Sequence, residues 1–367
     1  MFTITMLPAR QGDCLWIEYG DESEATPHRI LIDCGTSSTY DKALKAHLEA
    51  LGPDLYIDLF IVTHIDTDHI GGVLELLENP PAGLRIGQVW FNAWRHLEPD
   101  ALDLLGPIDG EILSVQLDRT GWKWNTSFRQ KGHAAAVRSS GPLRSYRLPG
   151  SMTLTLLSPG AEQLRRLRDN WETVIRQEGL APGEPSTRLR EKAARKGVKL
   201  DFLGPADPVR AWADAETDLD ETPANGSTIA VLAEREEEDG TTKSCLLAGD
   251  AYAPVLAAGI QRLAEERGEP RLRVDAFKLP HHGSRRNVTR ELLKGVDCRR
   301  YLFSSDGTIY KHPDPEAVAR VILYGGPRPI LTFNYRTKFT EPWANPAYLR
   351  RHRYSVEFGD GSATVTL

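Results

Sequence analysis

Long apolar runs are missing from this 367-residue chain, and none approaches the roughly 20 residues that a membrane-spanning helix needs. A surplus of basic charge is missing too: 45 Lys and Arg stand against 51 Asp and Glu, for a net charge of −6. That excludes the broad positive surface that captures long duplexes, but a small nucleotide or a single-stranded end stays compatible. Cysteine is scarce, and Cys14, Cys34, Cys245 and Cys298 contain no CxxC pair. Reduced, buried thiols of a cytoplasmic protein are therefore expected. The opening MFTITMLPAR has neither a basic lead nor an apolar signal core, so secretion is not expected. No GxGxxG follows a strand and no GxxxxGK[ST] occurs, which removes the nucleotide-loop readings.

What is present is an alternation of strand and helix patterns. FTITML, CLWIEYG and RILIDCG read as strands, TYDKALKAHLEAL as a helix stopped by Gly52-Pro53, and YIDLFIVT as a buried strand. IGGVLELLEN and GEILSVQLDRTG then read as helices and IGQVWFNAW as a strand; the strand MTLTLLSP closes a first half. Residues 160–222 change character, and we expect a partly helical insertion there, within one domain spanning 1–367. Its charged runs suit a solvated face; a lid, or a site for processing or for a protein partner, is the sharper expectation. The pattern resumes with STIAVLAER and KSCLLAGD as paired strands, NVTRELLKG and DPEAVARVILYG as helices, and YSVEFGDGSATVTL completing a second half. The predicted class is α/β (α+β), with two mixed sheets face to face and helices outside, and not a doubly wound parallel sheet.

Chemistry concentrates in LFIVTHIDTDHIGG, where His64, Asp66, Asp68 and His69 fall between a buried strand and a helix start. A strand end turns His64 and Asp66 to one side, and the turn into the helix lets Asp68 and His69 reach a second point close by. Gly71 and Gly72 permit close backbone approach. Further candidate ligands stand at other strand ends: Asp33 after ILI, Asp250 after CLLAG, and His281 and His282 after AFKLP.

THIDTDHIGG, LLAGD and LPHHGS resemble the signature motifs of metallo-β-lactamase-fold hydrolases. They are most similar to the ComEC-type hydrolase domain of bacterial DNA-uptake proteins, in which HxDxDHxGG also replaces the commoner HxHxDH. RQGDCLWIEYG, NGSTIAVL and YKHPDPEAV match further segments of that branch, in its order, between about residues 8 and 325. The resemblance implies an αββα sandwich with two divalent ions, Zn²⁺ or Mn²⁺, at the sheet edge. It would place His64 and Asp66 on the first ion, Asp68 and His69 on the second, and Asp250 between them. One of His281 and His282 would complete the second site; we take His282 as that ligand. Asp33 would orient a ligand from behind.

One departure from the family pattern matters. No histidine lies between His133 and His281, and Asn225 and Ser227 occupy the region where the family carries one before its Gly-Asp strand. His133 comes too early and is read as a surface or substrate-side residue. The first site is therefore expected to be open and oxygen-rich, which favours Mn²⁺ without excluding Zn²⁺.

Two such ions suit displacement at phosphorus by an activated water. Asp68, His281 and His312 are the candidate catalytic residues, with a non-ligating histidine protonating the leaving oxygen. Ser284, Arg285 and Arg286 are expected at a helix start, gripping phosphate. The leading expectation is a bacterial cytoplasmic phosphodiesterase or nuclease acting on DNA, RNA or a nucleotide, and in one version a defence effector held quiet by the 160–222 segment. Hydrolysis of a carboxylic ester, lactone or thioester is the alternative, and a non-catalytic metal-binding regulatory module the third.

Overall fold

The computed structural model describes residues 1–21, 26–97, 108–128, 133–177 and 208–367. Much of the expected insertion, residues 178–207, lies outside the described residues.

Strand alternation builds the frame. In His28–Ile32, Ile30 and Ile32 point one way and Leu31 the other, and both directions are buried. A strand buried on both faces needs a layer on each side, and this chain supplies them. The first sheet has six strands in the order Ala363–Thr366, Phe2–Met6, Leu15–Tyr19, His28–Ile32, Leu59–Ile61, Val89–Trp90. Its first three joins are antiparallel and its last two parallel.

The second sheet has eight strands, ordered Ser355–Phe358, Ile330–Phe333, Val296–Phe303, Leu272–Lys278, Thr242–Leu247, Ala230–Glu236, Met152–Ser158, Ser145–Arg147. Here the first four joins are parallel and the rest antiparallel. Each parallel join needs a crossover, and helices such as Ala253–Arg267 and Pro315–Tyr324 provide it.

Ile4, Ile17, Ile30 and Ile61 of the first sheet meet Leu154, Val231, Leu247 and Leu302 of the second to form the inner core. Phe60, Val73 and Leu113 fill the layer between the first sheet and its helices; Phe277, Ile260 and Val318 do the same behind the second. Each fully buried side chain of this kind contributes about 1.5–3 kcal/mol. The result is the expected αββα sandwich of mixed sheets.

Three expectations about elements are corrected. Met152–Ser158, the strand expected to close the first half, belongs with the second, pairing antiparallel with Ala230–Glu236 in the eight-stranded sheet. The C-terminal stretch is divided: Ser355–Phe358 edges the second sheet, while Ala363–Thr366 crosses over to pair with Phe2–Met6. IGQVWFNAW holds only a two-residue strand, Val89–Trp90, because the chain turns into the short helix Trp94–Leu97.

The described flanks of the 160–222 segment are built into the body. Leu167 and Trp171 of helix Ala161–Gln177 are sealed in the first-sheet core, and Val209 of helix Val209–Asp214 in the second.

Candidate metal centre

The strand Leu59–Ile61 runs through Thr63 and His64 into helix Thr67–Glu78. Two glycines let three chain segments close on this turn. A Cβ on Gly72 would stand 2.1 Å from the Cys34 carbonyl oxygen, and one on Gly12 would stand 1.7 Å from that of Asp68. Asp66 occupies the helix N-cap with extended backbone, yet its side chain makes no capping hydrogen bond. Its carboxylate lies 3.7 Å from His64 Nε2 and is 38% exposed.

Asp250, at the end of Thr242–Leu247 and its Gly-Asp turn, is the hub. Its Oδ1 lies 3.4 Å from His69 Nε2 and 3.6 Å from His282 Nε2. Its Oδ2 lies 3.9 Å from His64 Nε2 and 3.7 Å from His281 Nε2. Oδ1 thus faces the rings of His69 and His282, and Oδ2 those of His64 and His281. His282 Nε2 also lies 3.9 Å from Asp68. Donors about 2.0–2.2 Å from a common ion lie roughly 3–4 Å apart, so these separations suit metal ligation.

Donor atoms of His64, His69 and Asp250 all fall within 4.8 Å of one another, as do those of Asp68, His69 and His282. The Nε2 atoms of His64, His69 and His282 and Oδ1 of Asp250 are buried with no hydrogen-bond partner. Buried polar atoms without partners are costly, and a cation at their focus would satisfy them together. The residues therefore fit a metal.

A second layer fixes the rings. His69 Nδ1 is 2.7 Å from Asp33, which also accepts from the Thr63 N–H at 2.8 Å and the Thr63 hydroxyl at 2.6 Å. That hydroxyl lies 3.0 Å from His64 Nδ1, so one buried carboxylate anchors both histidines. His282 Nδ1 is 3.0 Å from the Ser304 carbonyl and 3.3 Å from Asp13. Asp13 in turn receives Lys278 Nζ at 2.8 Å and the Ser304 hydroxyl. Locking Nδ1 in this way presents Nε2 to a ligand site.

The sequence pattern assigns no role to Asp13, Asp220 or Asn287. Asp220 lies in the stretch read as insertion, and its Oδ2 is 3.3 Å from His281 Nδ1.

The remaining candidates divide. Asn225 reaches the site, donating to Asp220 at 2.7 Å, whereas Ser227 spends its hydroxyl on the Ala224 carbonyl at 2.6 Å. His312 is buried with its ring 5.3 Å from that of His281. His133 is exposed and bonds the Phe128 carbonyl.

Ser284, Arg285 and Arg286 do not open a helix. They form a turn, and the helix begins at Arg290 behind a Thr289 cap. Arg285 pairs with Glu316 at 3.2 Å, and Arg286 donates to the Leu219 carbonyl at 2.7 Å. Both guanidiniums have protein partners, and the Ser284 oxygen accepts from the Arg286 N–H.

The charges interlock. Burial opposes ionisation of Asp250, yet the surrounding histidines outweigh it and hold its carboxyl well below the usual range. Burial likewise disfavours the charge on His69 and His281, but Asp250 and its companions prevail; His69 is held well above its ordinary value and His281 is pushed up to about 9. At His312 burial outweighs the Asp314 carboxylate 3.6 Å from Nδ1 and lowers the pKa. The same carboxylates that hold protons on these rings could hold a cation in their place.

A face-to-face αββα sandwich with histidines and aspartates converging at one sheet edge defines the metallo-β-lactamase fold. Residues 7–133 match the family model described as Metallo-beta-lactamase superfamily. Hydroxyacylglutathione hydrolase of Aliivibrio fischeri strain MJ11 is 27% identical over 82 residues, 22% of this chain and 29% of that protein. The homologue from strain ES114 gives 27% over 81 residues, 22% of this chain and 28% of that protein. The chain thus spans under a third of the length of the relatives it matches. Among solved structures, the metallo-beta-lactamase fold protein YhfI from Bacillus subtilis is 10% identical and covers 99% of both chains, with TM-score 0.35. A metallo-beta-lactamase from Cronobacter sakazakii with a HARLDQ motif is 13% identical, covering 75% of this chain and 76% of that one, with TM-score 0.31. Among the described residues no helix is long and apolar enough to cross a membrane.

Proposed function

We propose that this chain is a metal-dependent hydrolase with two adjacent ion sites, acting on a phosphodiester of a nucleotide or nucleic acid. The observation that carries this reading is Asp250, whose two oxygens face separate donor groups. His69, Asp68 and His282 would hold one ion; His64 and Asp66 would hold the other. Bound divalent ions would supply Lewis-acid stabilisation and activation of water. Asp66 supports the phosphodiester assignment, because a carboxylate where a third imidazole could stand favours a harder ion suited to phosphoryl oxygens. The chain's own groups do the rest: Asp33 and Asp13 keep the ring tautomers fixed, and buried His312, whose pKa burial lowers, lies with its ring 5.3 Å from that of His281.

A thioester is the second reading, favoured by the similarity to hydroxyacylglutathione hydrolases. A screen with Mn²⁺ and Zn²⁺ supplied separately decides between them. It compares bis-p-nitrophenyl phosphate, single- and double-stranded DNA, RNA, an S-acyl glutathione and carboxylic esters. Phosphodiester cleavage supports the proposal; cleavage of the thioester alone overturns it. No turnover of any substrate by metal-loaded protein would favour a binding module instead.

A further inference from the structure

His281 carries a signature that the two-site reading leaves unused. Three histidines of the centre share one arrangement, with Nδ1 tied to a buried carboxylate or a relay to one and Nε2 pointed at Asp250. His281 repeats it: Nδ1 sits 3.0 Å from Asn287 Oδ1 and 3.3 Å from Asp220 Oδ2, and Nε2 lies 3.7 Å from Asp250 Oδ2. That oxygen is also the one nearest His64 Nε2, at 3.9 Å.

The backbone is committed to this placement. His281 and His282 both adopt left-handed conformations, at φ 48° and 54°. Such conformations are costly outside glycine and persist where the surroundings enforce them. Here they turn two successive imidazoles to opposite oxygens of a single carboxylate.

The cradle behind His281 is built as well. Asp220 accepts from the Thr222 N–H at 3.0 Å, from Asn225 Nδ2 at 2.7 Å and from Asn287 Nδ2 at 3.0 Å. Asn287 is pinned again through the Asp250 carbonyl at 3.3 Å. The tract around Asn225, which lacks the upstream histidine, thus holds a histidine from a different strand end.

We propose that His281 is the missing imidazole ligand of the first ion site, and that Asp220 is the positioning carboxylate that orients it. The inference rests on the two-site reading above and deepens it. The first site then comprises His64, Asp66, Asp250 and His281, and the ring assigned from sequence to proton transfer is a ligand instead.

The test uses full-length protein stripped with chelator, MnCl₂ as the probe, and metal uptake read by calorimetry and by EPR, independently of turnover. Wild type is expected to bind two Mn²⁺ and to show the exchange-coupled signal of a manganese pair. His281→Ala should retain tight binding at one site only, with the coupled signal replaced by that of an isolated ion. Asp220→Asn keeps the fold and cradle volume, and should weaken the first site about 10- to 100-fold while sparing the second. Circular dichroism identifies a His281→Ala chain that has not folded, in which case Asp220→Asn decides. Two ions bound by either variant with wild-type affinity and coupling overturn the role of His281 while leaving the two-site reading intact. A wild-type chain that takes up no Mn²⁺ sinks both.

Discussion

At the residue scale, the centre is held by charges buried away from its mouth. Lys278 and Asp13 are 0% and 1% exposed by side chain and lie 2.8 Å apart. They join the end of a second-sheet strand to the loop before a first-sheet strand. Burial alone would push the Asp13 carboxyl up, but Lys278 and His282 outweigh it and hold it well below the usual range. Breaking such a pair from one side strands the other charge. Lys278→Met is therefore expected to destabilise the fold by roughly 3–5 kcal/mol, read by denaturant unfolding. Stability unchanged within 1 kcal/mol would show that Asp13 is solvated or reprotonated at no cost. His64, Asp66, Asp68, His69, Asp250 and His282 were legible in sequence, because metal-binding side chains cluster within a few residues or end apolar strands. Asp13 and Asp220 were not. Each acts through a partner far along the chain, His282 in one case and His281 in the other, and no local pattern marks such a pairing.

At the element scale, helix Thr67–Glu78 must approach the chain at Cys34 closely enough to deliver His69. Gly72 has no room for a methyl against the Cys34 carbonyl, a rigid backbone atom. Gly72→Ala should displace the helix, lower the melting temperature and weaken Mn²⁺ binding together; loss of stability with unaltered metal affinity would refute the coupling. The glycine pair was readable as a close approach, though the atom approached was not.

Helix Ile108–Thr120 offers a pH test at a residue outside the ligand set. Glu111 is buried, accepts from Trp171 Nε1 at 3.2 Å, and burial lifts its carboxyl from 4.5 to about 9. A group whose folded value is raised adds stability below its unfolded value, and that contribution is lost as pH climbs toward the folded value. Stability should thus fall between about pH 4.5 and 9 on this account, and Glu111→Gln should flatten the fall. Parallel alkaline slopes for wild type and variant, in unfolding titrations, would assign the loss elsewhere.

At the scale of the whole molecule, the two chain ends close one sheet. Thr3, Ile4, Thr5 and Met6 pair with Thr366, Val365, Thr364 and Ala363. A chain ending at Gly361 loses this edge and the burial of Ala363 and Val365. It should lose on the order of 2 kcal/mol, seen as a lower melting temperature and faster exchange of the Phe2–Met6 amides. Retention of wild-type protection on those amides would argue that the edge pairing adds nothing. The element order and the four-layer class were readable from alternating strand and helix patterns. Sheet membership of Met152–Ser158 and Ala363–Thr366 was not, because an apolar alternation looks the same whichever sheet it joins.

The sequence by itself determined that histidines and aspartates stand at strand ends, that the strands are buried on both faces, and that a histidine present in related patterns is missing before the Gly-Asp strand. Only the tertiary structure decided which oxygen of Asp250 faces which ring, and which distant carboxylate braces each imidazole. The reason is physical. Residue type and periodicity are local properties of the chain, whereas ligation depends on distances of a few ångströms between segments hundreds of residues apart, fixed by how two sheets pack.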